Sequence, residues 1–270
     1  MGNKFTEEQR QQKMLEQIKA FRLLDDDFMT KCFENNKEAI ELVLRIVLDK
    51  PDIMVEKAQV QYTMKNIKGR SVRLDIYATD SKGKKYDIEI QRADKGAGAK
   101  RARYNSSLID SDILPKGISV ENISDSYVIF ITEHDVLGGN KPIYHIDRYV
   151  REMGEYFNDG AHIIYVNAGY KDESDLGKLM HDFLVTEPDE MNFKQLADIT
   201  SYYKKDKEGI RAMCKAMEDM IIDFVTEDKK NSAIRMLKAG KLSEKDIAEY
   251  LDLSTDVIEE LAKQEGLLVK

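Results

Sequence analysis

Between Arg70 and Gln91 the chain alternates twice between apolar and polar residues, and the two runs are separated by Ser81-Lys82-Gly83. A period of two is the signature of a strand with two unlike faces. In the first run Val72, Leu74, Ile76 and Ala78 share one face, against Arg73, Asp75 and Tyr77. In the second, Tyr86, Ile88 and Ile90 oppose Asp87, Glu89 and Gln91. Gly83 suits the left-handed position of a three-residue hairpin loop flanked by Asp80 and Lys84. That register sets Leu74 against Ile90, Ile76 against Ile88 and Ala78 against Tyr86, so every apolar residue meets another. It also sets Asp75 opposite Glu89, with Cβ atoms roughly 5 Å apart, where like charges are unfavourable. Two readings fit: an ordinary solvated sheet face, or a carboxylate pair whose charge a divalent cation offsets.

A second turn, Ile67-Lys68-Gly69, repeats the pattern upstream. Pairing Asn66 with Arg70 brings Tyr62 opposite Leu74, Val60 opposite Ile76 and Gln61 opposite Asp75. The expectation is a three-stranded meander with Asp75 on the central strand and a single polar face. Downstream, Arg92, Lys95, Lys100, Arg101 and Arg103 face one acid, Asp94, as the chain enters a helix over about 99–114. On it Arg101, Tyr104, Asn105 and Leu108 recur at helical spacing. A local basic patch beside paired carboxylates is what phosphodiester cleavage requires, although the net charge of −8 argues against indiscriminate nucleic-acid binding.

The remaining pattern places these elements in a larger α/β frame. Asn36 caps a helix with Ile40, Val43, Leu44 and Val47 on its buried side, stopped by Pro51. Ser126–Thr132 is a continuous apolar strand, Ile143–Ile146 and His162–Val166 are short ones, and the chain is helical beyond Asp175. Near the end Ser243 and Ser254 cap two short helices with helix-turn-helix spacing. Between Lys241 and Ala262 there are two positive and seven negative residues, which favours packing or self-association over DNA reading. The division expected is 1–205 and a helical 206–270.

Other chemistries find less support. Gly96, Gly98 and Ala102 imitate a dinucleotide loop, but the strands before them read as antiparallel hairpins. His134, His145, His162 and His181 share no metal-ligand spacing. Cys32 and Cys214 read as free buried thiols of a reducing cytosol, and no apolar run is long enough for a signal peptide core or a membrane span.

With Asp75, Glu89-Ile-Gln91 and Lys100-Arg101-x-x-Tyr104 in place, the chain resembles the PD-(D/E)XK nuclease family transposases, related to the Rpn recombination-promoting nucleases. The resemblance runs from about Asp27 to Lys205. It rests on DFM at 27–29, RSVRLDIYATD at 70–80, YDIEIQRADKGAGAKRARY at 86–104, YVIFITEHDVLGG at 127–139, PIYHIDR at 142–148 and GKLMHDF at 177–183. It implies an α+β, restriction-endonuclease-like core, a mixed central sheet flanked by helices. It implies cytoplasmic Mg²⁺- or Mn²⁺-dependent cleavage of DNA, with Asp75, Glu89 and Gln91 catalytic and Asp75 and Glu89 on the metal. Arg101, Tyr104, Lys100 and Arg103 would bind DNA, and an acid from the N-terminal region (Asp27, Glu38 or Glu41) would complete the site. Gln91 stands where the wider superfamily has lysine, so it can orient a water but supplies no charge. The alternative is a nuclease fold kept as a DNA-binding or interaction module, with homo-oligomerisation through the C-terminal helices.

Overall fold

A computed structural model describes residues 7–66, 69–92, 96–114, 117 and 119–267. The turn expected at Ile67-Lys68, and Lys95 and Asp94 of the basic segment, lie outside these. The chain forms two compact units, Met1–Met213 and Cys214–Lys270. In the first, α1 (Glu7–Ala20), α2 (Asp26–Phe33) and α3 (Lys37–Val47) precede β1 (Val55–Met64), β2 (Val72–Asp80) and β3 (Lys85–Gln91). Helix α4 (Ala99–Ile113) leads to β4 (Ser126–Thr132), β5 (Ile143–Ile146), a small hairpin β6 (Tyr149–Val150) and β7 (Glu155–Tyr156), and β8 (Ala161–Asn167). Helices α5 (Asp175–Leu184), α6 (Lys194–Lys205) and α7 (Lys207–Ala239) follow.

The main sheet has six strands in the order β1-β2-β3-β4-β8-β5. Its centre is parallel, β3 to β4 to β8, and antiparallel pairs flank it. The chain is therefore α+β, a mixed sheet flanked by helices with more helices at the C-terminus, consistent with the restriction-endonuclease-like core. No helix among the described residues is long and apolar enough to cross a membrane.

The two expected hairpin registers hold over the paired residues, although the β2–β3 ladder ends before the expected Leu74–Ile90 pair. Ile76 pairs with Ile88 and Ala78 with Tyr86, while Tyr62 pairs with Leu74 and Val60 with Ile76. Gly83 is left-handed, φ 81°. Asp80 explains the tightness of that turn: one carboxylate oxygen accepts from the backbone N–H of Lys82 and Lys84, both at 2.9 Å, and the other from Tyr86 Oη at 2.8 Å.

The single polar face is a correction. Gln61 has φ 52°, and a left-handed residue inside a strand inverts the alternation beyond it. Under uniform alternation Tyr62 and Tyr77 would lie on opposite faces, because the partner of Tyr77 is Gln59. Instead their rings stack 5.1 Å apart, and Leu74 and Met64 join the core of Tyr77, Ala102, Val128 and Phe130. Neither face of β3 or β4 is solvated: β4 is buried along its whole length and β3 along all but its ends, with α4 packed on β4 and β8.

Capping follows the sequence. Asn36 Oδ1 accepts from Ala39 N–H at 3.1 Å, and Ser254 Oγ accepts from Val257 N–H. Ser243 forms a reciprocal capping box with Asp246. In the second unit Ala233 of α7 packs with Ile247 and Ala248 of α8 (Glu244–Leu251) and Ile258 and Leu261 of α9 (Thr255–Gln264). Cys32 is buried and free as expected, whereas Cys214 is only half-buried.

Candidate active site

Gln91, Thr132 and Asn167 end the three parallel strands in register, so β3, β4 and β8 finish at one edge of the sheet. The carboxyl ends of parallel strands are where open α/β sheets hold their ligands. The left-handed Gln61 and the end of the β2–β3 ladder fall at this edge. Regular pairing of β2 with β3 stops at Ile76–Ile88, and beyond it the Asp75 carboxylate takes over a ladder bond, accepting the Ile90 N–H at 2.8 Å. Asp75 and Glu89 are thus neighbours, as the register requires, but Asp75 turns in toward the β3 backbone.

Glu89 and Asp87 are fully buried and Asp75 is 8% exposed. Helix α4 roofs them. Asn105 Nδ2 donates to Asp87 Oδ2 at 3.1 Å and to Glu89 Oε1 at 3.3 Å, bridging the two carboxylates. One turn earlier, the Arg101 guanidinium is hydrogen-bonded to Glu89 Oε2, and donates to the Gly96 carbonyl at 3.0 Å and to Gln91 Oε1 at 3.4 Å. The Gln91 side chain lies against Gly96, where a Cβ would sit 1.8 Å from Gln91 Oε1.

Electrostatically the cluster is short of positive charge. Burial pushes the Asp75 carboxyl up to about 6, only partly offset by the Ile90 hydrogen bond. Burial, then repulsion from Asp75, pushes Glu89 up to about 7 despite Arg101. Burial and the neighbouring Glu89 drive Asp87 well above the ordinary carboxylate range. Asp87 Oδ1 is buried with no hydrogen-bond partner among the described residues.

Of the residues expected at the site, Asp75, Glu89, Gln91 and Arg101 come together. Tyr104 does not point into it: its hydroxyl donates to the Arg70 carbonyl at 2.5 Å and accepts from Asn66 Nδ2, tying α4 to the segment just before β2. Lys100 and Arg103 are exposed on the outer side of α4. Arg92 is paired with Asp25 at 2.6 Å, and lies 3.6 Å from Glu133 just past β4.

The three N-terminal acids separate. Glu41 is committed elsewhere, accepting the Val55 N–H at 2.7 Å and pairing with Arg45 at 2.9 Å, at the end of β1 that faces Asp80. Glu38 is exposed on the first turn of α3. Asp27 is raised by burial and by its acidic neighbours, and Arg73 opposes the shift. The acid that acts on Asp75 is Asp26, held by Gln61 Nε2 at 2.9 Å. Sequence reasoning missed Asp26, Asp87 and Asn105. The last two carried a signal: Asp87 is one strand period before Glu89, and Asn105 one helical turn after Arg101.

Hard carboxylate oxygens in a negatively charged, cation-poor recess are the donor set Mg²⁺ or Mn²⁺ takes. Among the described residues no three or more His, Cys, Asp or Glu side chains are arranged to hold a metal ion. A Mg²⁺-like ion does not need three, because it commonly rests on one or two carboxylates and completes its shell with water and phosphate.

No curated protein and no solved structure matches the chain. The sequence profile of the PD-(D/E)XK nuclease family transposases matches residues 28–174, from α2 to the loop before α5, so that GKLMHDF at 177–183 falls outside it. That span includes every strand of the sheet and all of Asp75, Asp87, Glu89, Gln91, Arg101 and Asn105, and the chain belongs to the PD-(D/E)XK nuclease transposase family.

Proposed function

We propose that the protein is a metal-dependent DNA endonuclease that hydrolyses phosphodiester bonds at the edge where β3, β4 and β8 end. The observation that carries this reading is the buried Asp75–Glu89 pair, two carboxylates kept close at an electrostatic cost in a member of a nuclease family. Asp75 and Glu89 would hold Mg²⁺ or Mn²⁺. When bound, the ion supplies Lewis-acid chemistry, lowering the pKa of water and offsetting charge on the phosphate.

The chain's own residues do the rest. The Ile90 N–H fixes the Asp75 carboxylate, and Asn105 fixes the rotamer of Glu89, so the pair is oriented before substrate arrives. Gln91, seated against Gly96, offers its carboxamide to position the attacking water. The water oxygen forms the new P–O bond as the bond to the leaving oxygen breaks. Arg101, Lys100 and Arg103 lie on the first two turns of α4 and meet the phosphate backbone, with Tyr104 bracing the helix against the Arg70 carbonyl.

Purified protein with Mg²⁺ or Mn²⁺ should nick supercoiled plasmid, and Asp75→Ala should abolish nicking. Full activity in that variant would refute the site. One feature favours a second reading, a nuclease fold retained for binding: Gln91 brings no charge where the wider superfamily carries lysine. Calorimetry separates the two, since a retired scaffold shows no Mn²⁺ binding that depends on Asp75 and Glu89.

A further inference from the structure

We propose that the Arg101 guanidinium is a resident stand-in for the metal ion, holding Glu89 until a divalent cation displaces it and then serving a phosphate oxygen of the nucleic acid. The inference rests on the nuclease reading above and adds to it an order of events.

Three observations and one electrostatic argument support it. Arg101 makes its charged contact with Glu89 Oε2, one of the oxygens that the cation would need. Glu89 is fully buried, and its other oxygen is already taken by Asn105, so a cation approaching Glu89 meets Arg101 first. A guanidinium and a divalent ion on one carboxylate oxygen repel each other and compete for the same lone pairs. The Arg101 side chain is 38% exposed, unlike its partner, so it bridges the buried carboxylate and the solvent from which a phosphate would arrive.

The other contacts of Arg101 suit an exchange better than a permanent anchor. The Gly96 carbonyl at 3.0 Å and Gln91 Oε1 at 3.4 Å are neutral acceptors, and the Phe130 ring lies 5.9 Å from Cζ. They hold the arginine near the site after Glu89 is surrendered. A guanidinium fork matches phosphate as well as it matches carboxylate, so one side chain serves both states. Without Arg101, Asp87 and Glu89 lose the cation set against them and Asp75 keeps only the field of Arg73, so a bound ion becomes the main relief of their mutual repulsion.

The test is calorimetric titration of Mn²⁺ into the full-length protein without DNA, comparing wild type, Arg101→Gln and Arg101→Lys. Arg101→Gln should bind Mn²⁺ about tenfold more tightly, equivalent to about 1.4 kcal/mol. Arg101→Lys, which keeps charge but loses the fork, should fall between. Affinity of a DNA duplex should rise on adding Mn²⁺ for wild type and fail to rise for Arg101→Gln. A purely structural arginine would loosen Mn²⁺ binding instead, and equal or weaker binding in Arg101→Gln overturns the proposal while leaving the metal site standing. If that variant does not fold, Arg101→Lys decides alone, with wild-type affinity overturning it. Absence of Mn²⁺ binding in all three would overturn the nuclease reading itself.

Discussion

Among the buried carboxylates of the first unit, Asp182 and the Asp75–Asp87–Glu89 cluster are treated in opposite ways. Asp182, fully buried on α5, accepts the backbone N–H of Asn192 and of Phe193 and the Asn192 amide, all at 2.8 Å. Those bonds fix the segment that starts α6, so the carboxylate oxygens are satisfied by the backbone they organise. Asp87 and Glu89 are as deeply buried and Asp75 nearly so, and the three are far less well supplied. Their hydrogen bonds come from the Ile90 N–H on Asp75, the bridging Asn105 amide and Arg101, with the field of Arg73 added at Asp75, and they repel one another. A buried acid with all its donors is a structural part. Three with too few are a stability liability, and such a liability is tolerated where chemistry needs the charge.

The largest effects should separate the two sets. Glu89→Gln removes a charge from the crowded cluster, so plasmid nicking should fall by about a thousandfold or more. The same variant should unfold later than wild type, by about 1 kcal/mol or a few degrees in a thermal melt. Asp182→Ala leaves two backbone N–H groups and an amide without acceptors and should cost about 3 kcal/mol, while nicking per folded molecule stays unchanged. If Glu89→Gln destabilised as much as Asp182→Ala, the contrast between the sets would be gone.

The pH dependence sharpens the same contrast. Asp75 and Glu89 are raised to about 6 and about 7 by burial, whereas in the unfolded chain they titrate near 4, roughly. Between those values the folded state binds more protons than the unfolded one, so stability falls as pH rises. Denaturant titrations without divalent metal should show a loss from about pH 4 to about pH 7 that Asp75→Asn and Glu89→Gln each reduce. Taken alone, either group can contribute up to about 3 kcal/mol. Metal competes with those protons, so Mn²⁺ affinity should climb through the same range and flatten above about pH 7. A flat stability profile would show that the cluster is not held in the protonation states argued here.

A smaller effect is expected at Gly96, whose missing Cβ makes room for Gln91. Gly96→Ala puts a methyl 1.8 Å from Gln91 Oε1. The end of a glutamine side chain swings aside cheaply, so the melting temperature should barely change while nicking falls by about tenfold, as for Gln91→Ala. Loss of stability without loss of nicking would remove Gln91 from the proposed reaction.

Much of this was legible in the chain because strand period and turn chemistry are local. Gly83 and the alternation on each side fixed the β2–β3 register, and with it the approach of Asp75 to Glu89. What was not legible came from tertiary contacts that override the period. Nothing in the alternation announces the left-handed Gln61, whose side chain reaches Asp26 and Thr30 on α2, so the period alone predicts a continuous polar face where the structure inverts it. Asp26 escaped for the same reason, since Asp25, Asp26 and Asp27 are equivalent until α2 docks. The roof of the site was half legible: Arg101 and Asn105 share a helix face, but only packing of α4 shows that Asn105 bridges Asp87 to Glu89.

The smallest effect separates the two sides of α4. Arg101 faces the carboxylates, whereas Lys100 and Arg103 stand exposed on the outer side. Exposed cations of this kind act on a duplex by releasing condensed counterions and carry no role in orienting the reacting phosphate. Lys100→Ala and Arg103→Ala should each weaken duplex binding by only a few-fold at moderate salt, and each should lower the slope of log affinity against log salt by about one. Neither should alter Mn²⁺ affinity, because neither touches Asp75 or Glu89. Anisotropy titrations across a salt series read the slope directly. An unchanged slope in the double variant would mean that DNA approaches by another face, and that the contribution of α4 to binding ends with Arg101.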